Sequence, residues 1–179
     1  RDAISDITKK HENVKFIFMG DYRHKQIFQN IASSKFEFHS WVQFIAYPFK
    51  LPLLNIDIGL CPIVDNEFNA CKSSIKWMDY SIAGAATIAS NRPPYSTDIK
   101  NGEDGILVGD SKKEWIDAME ELILNKKKRM TLSDNAYARI KEDYNADKKA
   151  YLWRDAYEEL LKADIEGVKD GNDLCKSTK

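Results

Sequence analysis

The sequence predicts an α/β fold, a doubly wound parallel sheet with helices gathered at its C-terminal end. Three observations predict it. Short apolar runs closed by glycine or proline recur up to Val108, the pattern of strands buried on both faces. Segments of helical spacing separate them, which places helices on the faces of a parallel sheet. After Val108 only helical patterning remains.

The elements follow in order. Ala3, Ile4 and Ile7 give residues 3 to 11 sparse helical character. Val14-Lys15-Phe16-Ile17-Phe18-Met19-Gly20 reads as the first strand, and a helix through Ile27 and Ile31 is expected after it. Phe36-Glu37-Phe38-His39 alternates and reads as the second strand. Pro48 and Pro52 keep any helix between them short. Ile56 to Cys61 is the third strand, stopped by Pro62. A helix is expected from about Lys72 to Ala83, with Gly84 as its C-terminal cap and Ile75, Met78 and Ile82 packed on the sheet. Ala86 to Ser90 and Gly105 to Val108 complete the strands. Strands and helices in this alternation make a Rossmann-like domain.

Ser111-Lys112-Lys113-Glu114 is a capping box that opens a helix with Trp115, Ala118, Met119, Leu122 and Ile123 on its apolar stripe. Met130, Tyr137, Ile140 and Tyr144 mark a second helix, and Ala150, Trp153, Tyr157, Leu160 and Leu161 a third. Residues 1–163 therefore read as one domain, and 164–179 as a polar, disordered tail.

Composition narrows the function. A formal net charge of -1 offers no electrostatic footprint for nucleic acid. The basic run Lys126-Lys127-Lys128-Arg129 reads as a solvated helix junction in preference to a lipid-headgroup contact, which leaves peripheral membrane contact as the second reading. Cys61, Cys71 and Cys175 form no CxxC pair, and His11, His24 and His39 share no ligand spacing, so neither a metal site nor a disulfide framework is indicated. A reducing, cytoplasmic setting is expected. No cofactor is implied.

The stretch from Asn66 to Gly84 carries the chemistry. It follows a strand and opens a helix, and ligands of open α/β sheets bind beyond the carboxyl ends of the strands. A first helical turn offers free N–H groups and the positive end of the helix dipole. Lys72, Ser73 and Ser74 stand at that turn and suit a diphosphate. Lys72, Lys76, Asp79 and Ala83 share a face, which combines cations with a carboxylate suited to a ribose diol. An ordinary surface helix with a Lys76–Asp79 ion pair fits the same spacing.

Four segments, in order, carry a family resemblance: Val14 to Asp21, Ile56 to Pro62, Lys76 to Ser90, and Asn101 to Val108. From Asn13 to about Leu161 the chain resembles the C-terminal, donor-binding domain of GT-B glycosyltransferases of the retaining family four, the glycosyl transferases group 1. The resemblance implies a nucleotide-sugar donor, UDP- or GDP-linked, and an acceptor-binding N-terminal domain as partner. It implies polysaccharide biosynthesis, with hexosyl transfer to a glycan or lipid-linked acceptor at the inner face of a membrane.

In that family two glutamates recur in the donor loop and helix. Asp79 stands at the second position, which contacts the donor ribose, and Cys71 at the first, which lies near the transferred sugar. Asn66, Asn69 and Lys72 are the candidates to replace the lost polar contact, and an Asn-x-Phe-Asn-x-x-Lys-Ser run also occurs in a subset of polysaccharide enzymes. The donor-binding residues are thus expected to be Gly20, Asn69, Lys72, Ser73, Ser74, Lys76 and Asp79, with the nucleobase near Trp41. The family's domain begins with a central strand and helix, of which residues 3–11 match only the helix end, so the chain is expected to be a fragment, inactive alone. Two alternatives stand beside this reading: a sugar-nucleotide epimerase of the same fold, and a non-catalytic, degenerate half that docks through its last helix.

Overall fold

The computed structural model describes residues 1–174. Contacts divide it into a first unit, Arg1–Ala138, and a second that begins at Arg139. In the first unit α1 (Asp2–Lys10) precedes β1 (Phe16–Gly20) and β2 (Phe36–Ser40), which pair in parallel with Phe16 opposite Phe36. Next come α2 (Tyr47–Leu53), β3 (Ile58–Cys61), α3 (Glu67–Ala70), α4 (Ile75–Ile82), β4 (Ala86–Ser90), α5 (Tyr95–Asp98) and β5 (Ile106–Val108). The last three strands form a parallel sheet in the order β3-β4-β5. The five parallel strands match the predicted α/β class, but they form two sheets, because no strand among the described residues hydrogen-bonds to both β1 and β3.

β4 is the spine of the larger sheet, and all five of its residues, Ala-Thr-Ile-Ala-Ser, are buried. Ile88, Ile106 and Val108 pack with Ile7 of α1 and with Ala118, Met119 and Leu122 of α6 (Lys112–Leu124). The α6 capping box forms as predicted: the Glu114 amide donates to Ser111 Oγ at 3.2 Å, and the glutamate returns to the Ser111 amide at 3.3 Å. The basic run opens α7 (Lys126–Asp143). Arg129 donates from its guanidinium to the Leu122 carbonyl at 2.6 Å and reaches Asp57 at 3.1 Å, which satisfies a free carbonyl in the last turn of α6.

The smaller sheet is held by aromatic rings. Phe28 lies 4.9 Å from Phe16 and 5.0 Å from Phe18, centroid to centroid. Phe28 ends a 3-10 segment, Tyr22–Phe28, where an α-helix through Ile27 and Ile31 was expected. The Asp21 carboxylate accepts the Arg23 amide and guanidinium and tightens the chain at its start; Ile31 is buried and Ile27 exposed.

Helix α4 is set by two devices. Glycine at 59 lets Tyr80 lie flat on β3, since a Cβ there would fall 2.3 Å from the ring. The helix ends in a Schellman motif as Gly84 turns to φ +82°, with its amide on the Ser81 carbonyl and the Ala85 amide on the Tyr80 carbonyl. The packing face differs from expectation. Ile75 and Ile82 are exposed, and Trp77 and Ser81 are buried. The Trp77 indole is 0% exposed and donates to the Asp104 carbonyl at 3.0 Å, and the large ring with a satisfied N–H claims the core position.

In the second unit α8 (Ala146–Leu174) runs beyond residue 163, where the sequence reading ended the domain. Part of the predicted tail, 175–179, lies outside the described residues. Trp153, Tyr157, Leu160 and Leu161 are exposed along α8. No helix among the described residues is long and apolar enough to cross a membrane.

Candidate functional site

The site is built at the carboxyl end of β3. Pro62 stops the strand, and the chain turns into the short α3, whose N-cap Asn66 accepts the Asn69 amide at 2.8 Å. Asn69 in turn donates from Nδ2 to the Val64 carbonyl at 2.8 Å. These bonds give both asparagines a loop-holding task. Cys71 closes α3 and is exposed.

Lys72 and Ser73 follow on the linker to α4, both exposed. The helix begins at Ile75 and not at Lys72, because the chain first closes a turn in which the Lys72 amide donates to the Asn69 carbonyl. The Lys72 ammonium stands 4.5 Å from the centroid of the exposed Phe68 ring. The Trp77 and Met78 amides both bond the Ser74 carbonyl, and the Ile75 and Lys76 amides have no backbone partner among the described residues at the opening of the helix.

Ser74 is placed differently from the other candidates. It is fully buried, and its hydroxyl donates to the Asp98 carboxylate of α5. That bond anchors the start of α4 and turns the hydroxyl away from the exposed linker. The Ser74 hydroxyl, expected to suit a diphosphate, is engaged by Asp98 in this structure.

One turn into α4, Asp79 Oδ2 accepts from the Tyr47 hydroxyl at 2.9 Å. The Lys76 ammonium donates to the same hydroxyl at 3.0 Å, stands 5.0 Å from the Tyr47 ring centroid and lies 3.7 Å from Asp79 Oδ2. The expected Lys76–Asp79 pair exists, with a phenol from α2 inserted into it. Burial, and then the bond to Asp79, push the Tyr47 phenol above its ordinary range, so it stays protonated and donates. Cys61, at the end of β3, is close enough to feel both Lys76 and Asp79, and burial pushes its thiol up to about 12. The cluster therefore lies at the rim of the sheet where the strands end.

Arg92, just past β4, ties this rim together. Its guanidinium contacts Asp110 beyond β5 at 2.5 Å and Asp65 beyond β3 at 3.9 Å. The Ile63 amide adds a bond to Ser90 Oγ at 3.0 Å.

The structure thus gathers Asn69, Lys72, Ser73, Lys76 and Asp79 around the α3–α4 linker. Gly20 ends β1 in the other sheet and shares no hydrogen bond with them; the nearest atoms to a Cβ there would belong to the Phe18 ring, at 3.0 Å. Trp41 is exposed beyond β2. Tyr47 and Arg92 were not found from the sequence. Tyr47 is 32 positions from Asp79, in a stretch whose prolines were its only readable signal.

A family model described as glycosyl transferases group 1 matches residues 1–125. No curated protein matches by sequence. Among solved structures, the chain is similar to the C-terminal domain of a glycosyl transferase group 1 family protein (LpcC) from Francisella tularensis, at 18% identity and TM-score 0.65, covering 80% of this chain and 76% of that one. It is also similar to Anabaena HepE in complex with UDP and glucose, at 14% identity and TM-score 0.72, over 89% of this chain and 44% of HepE. The pneumococcal O-GlcNAc transferase GtfA, in complex with UDP and GlcNAc, aligns at 15% identity and TM-score 0.68 over 89% of this chain and 32% of its own. The chain spans less than half the length of these two transferases.

Proposed function

We propose that this chain, which belongs to the glycosyl transferases group 1 family, is the donor-binding half of a retaining glycosyltransferase that moves a sugar from a nucleotide-sugar to a glycan or lipid-linked acceptor. The fold is that of the C-terminal domain of GT-B enzymes. One observation carries the proposal: the exposed Lys72 and Ser73 adjoin the Ile75 and Lys76 amides, which have no backbone partner among the described residues, with the Asp79 carboxylate one turn further on.

Each part has a chemical task. The Ile75 and Lys76 amides and the positive end of α4 attract the diphosphate. Lys72 adds a full charge and Ser73 a hydroxyl. When the glycosidic bond breaks, charge grows on the departing phosphate oxygen, and fixed donors there stabilise that charge as it forms. Asp79 accepts from the ribose. Asn69 fixes the linker through Val64 and so holds Lys72 in place. Gly20, at the end of β1, permits close approach of backbone to donor in the cleft. The acceptor is held by an N-terminal domain of the same protein, so this chain alone binds donor and transfers little. The setting is polysaccharide biosynthesis at the cytoplasmic face of a membrane.

Calorimetric titration with UDP, GDP and their sugar conjugates tests this. Saturable binding to the parent is expected, weakened about tenfold by Lys72→Ala, the worth of one charge-assisted phosphate contact. An unchanged affinity in the variant rejects the phosphate assignment, and no binding by any nucleotide favours a degenerate half. Isomerisation of the free sugar-nucleotide would favour the epimerase.

A further inference from the structure

The Tyr47 hydroxyl has a fixed polarity. Lys76 donates to it at 3.0 Å, and it donates to Asp79 Oδ2 at 2.9 Å. A hydroxyl has one proton, so with Lys76 supplying only donors the phenol proton must go to the carboxylate. Asp79 Oδ2 thereby accepts from Tyr47 and also faces Lys76 at 3.7 Å, so the Oδ2 side of the carboxylate is turned to these two residues. Oδ1 makes no hydrogen bond among the described residues, and the Asp79 side chain keeps 21% of its surface exposed.

The two side chains come from different elements. Tyr47 opens α2, where Pro48 holds the first turn, and Asp79 lies on α4. The bond therefore fixes the carboxylate against a second helix as well as against its own backbone. A free aspartate at an exposed helix position turns about χ2 and presents either oxygen, or both, to a diol. This one cannot turn without breaking the bond to Tyr47.

We propose that Tyr47 is a positioning residue that leaves Asp79 with a single ligand-facing oxygen, so that the chain recognises one of the two ribose hydroxyls and not the pair. This rests on the reading of Asp79 as the ribose contact. It makes the site selective between 2′-deoxy and 3′-deoxy nucleotides, because one loses a direct bond to a charged oxygen and the other loses none.

The test is a cycle of protein and ligand changes on the 179-residue chain. UDP and GDP are titrated first, and whichever binds is compared with its 2′-deoxy and 3′-deoxy forms. In the parent, one deoxy form should bind about tenfold more weakly than the ribonucleotide and the other about equally, the difference made by one charge-assisted hydrogen bond. Asp79→Asn should shrink that preference. Tyr47→Phe, which keeps the ring beneath Lys76 but frees the carboxylate, should bring the two deoxy forms to within about twofold of each other. A merely structural role for Tyr47 would weaken all three ligands alike.

The failures are distinguishable. If no ribonucleoside diphosphate binds, the donor-binding reading falls and this inference with it. If binding occurs but Asp79→Asn leaves the deoxy preference intact, Asp79 is not the ribose contact. If the preference depends on Asp79 yet survives Tyr47→Phe, or if the parent loses equally with both deoxy forms, the positioning role of Tyr47 is overturned. The comparison of deoxy forms in the parent needs no variant, so it decides even where Tyr47→Phe folds poorly.

Discussion

Gly59→Ala perturbs the site without touching any polar group. The added Cβ would lie 2.3 Å, 2.4 Å and 2.8 Å from Cδ2, Cγ and Cε2 of Tyr80. Ordinary carbon contacts begin near 3.5 Å, so the ring must retreat by about an ångström. The clash includes the root of the ring, so a turn about the last bond does not relieve it. The backbone of α4 must shift away from β3 instead. Overpacking of this kind costs about 1–3 kcal/mol, and at about 2–4 °C per kcal/mol for a chain of this size the melting point should fall by about 2–12 °C. Asp79 precedes Tyr80, so nucleotide affinity should fall as well. Thermal and urea denaturation measure the first effect, and in a Tyr80→Ala background the cost of Gly59→Ala should vanish. A Gly59→Ala protein as stable as the parent would refute the packing argument.

Further expectations follow from single contacts. Ser74→Ala removes the hydroxyl that donates to Asp98 and should cost about 1.5–3 kcal/mol in urea unfolding, the worth of a hydrogen bond to a charged group; an unchanged midpoint would mean that the bond contributes nothing. At pH 8, iodoacetamide should modify the exposed Cys71 far faster than Cys61, whose buried thiol is pushed up to about 12 and stays neutral; mass spectrometry after partial labelling decides, and equal rates would contradict the burial argument. Glu114 is held below its ordinary value by the Ser111 hydroxyl, then by the Gly109 amide. A depressed carboxylate stabilises the fold above its unfolded pKa and loses that contribution as pH falls through the folded one, so the urea stability of Glu114→Gln should fall less on acidification than the parent's.

β1 and β3 were legible because an apolar run meets Gly20 or Pro62 at its end, and β2 because Phe36-Glu37-Phe38-His39 alternates. The capping box and the Gly84 turn were legible because each is a local rule with its partners within a few residues. The rotation of α4 was not. Period alone grouped Ile75, Met78 and Ile82, but the core position went to Trp77, whose N–H meets a carbonyl 27 positions away. Ser74 shows the same limit, because a serine beside a lysine at a helix start fits a phosphate or a distant carboxylate equally well, and only the fold brings Asp98 to it. Within the candidate site, the Lys76–Asp79 pair was readable from helical spacing, whereas Lys72 lies on the linker before the helix begins at Ile75. Tyr47 was not, because its contact with Asp79 joins two helices.

Amide chemical-shift mapping during a UDP or GDP titration tests the central claim most directly. If the α3–α4 linker and the opening of α4 hold the diphosphate, the largest saturable shifts should fall on the amides of Ser73 to Lys76, with inorganic pyrophosphate moving the same signals. Saturable binding that leaves those amides unmoved would contradict the account.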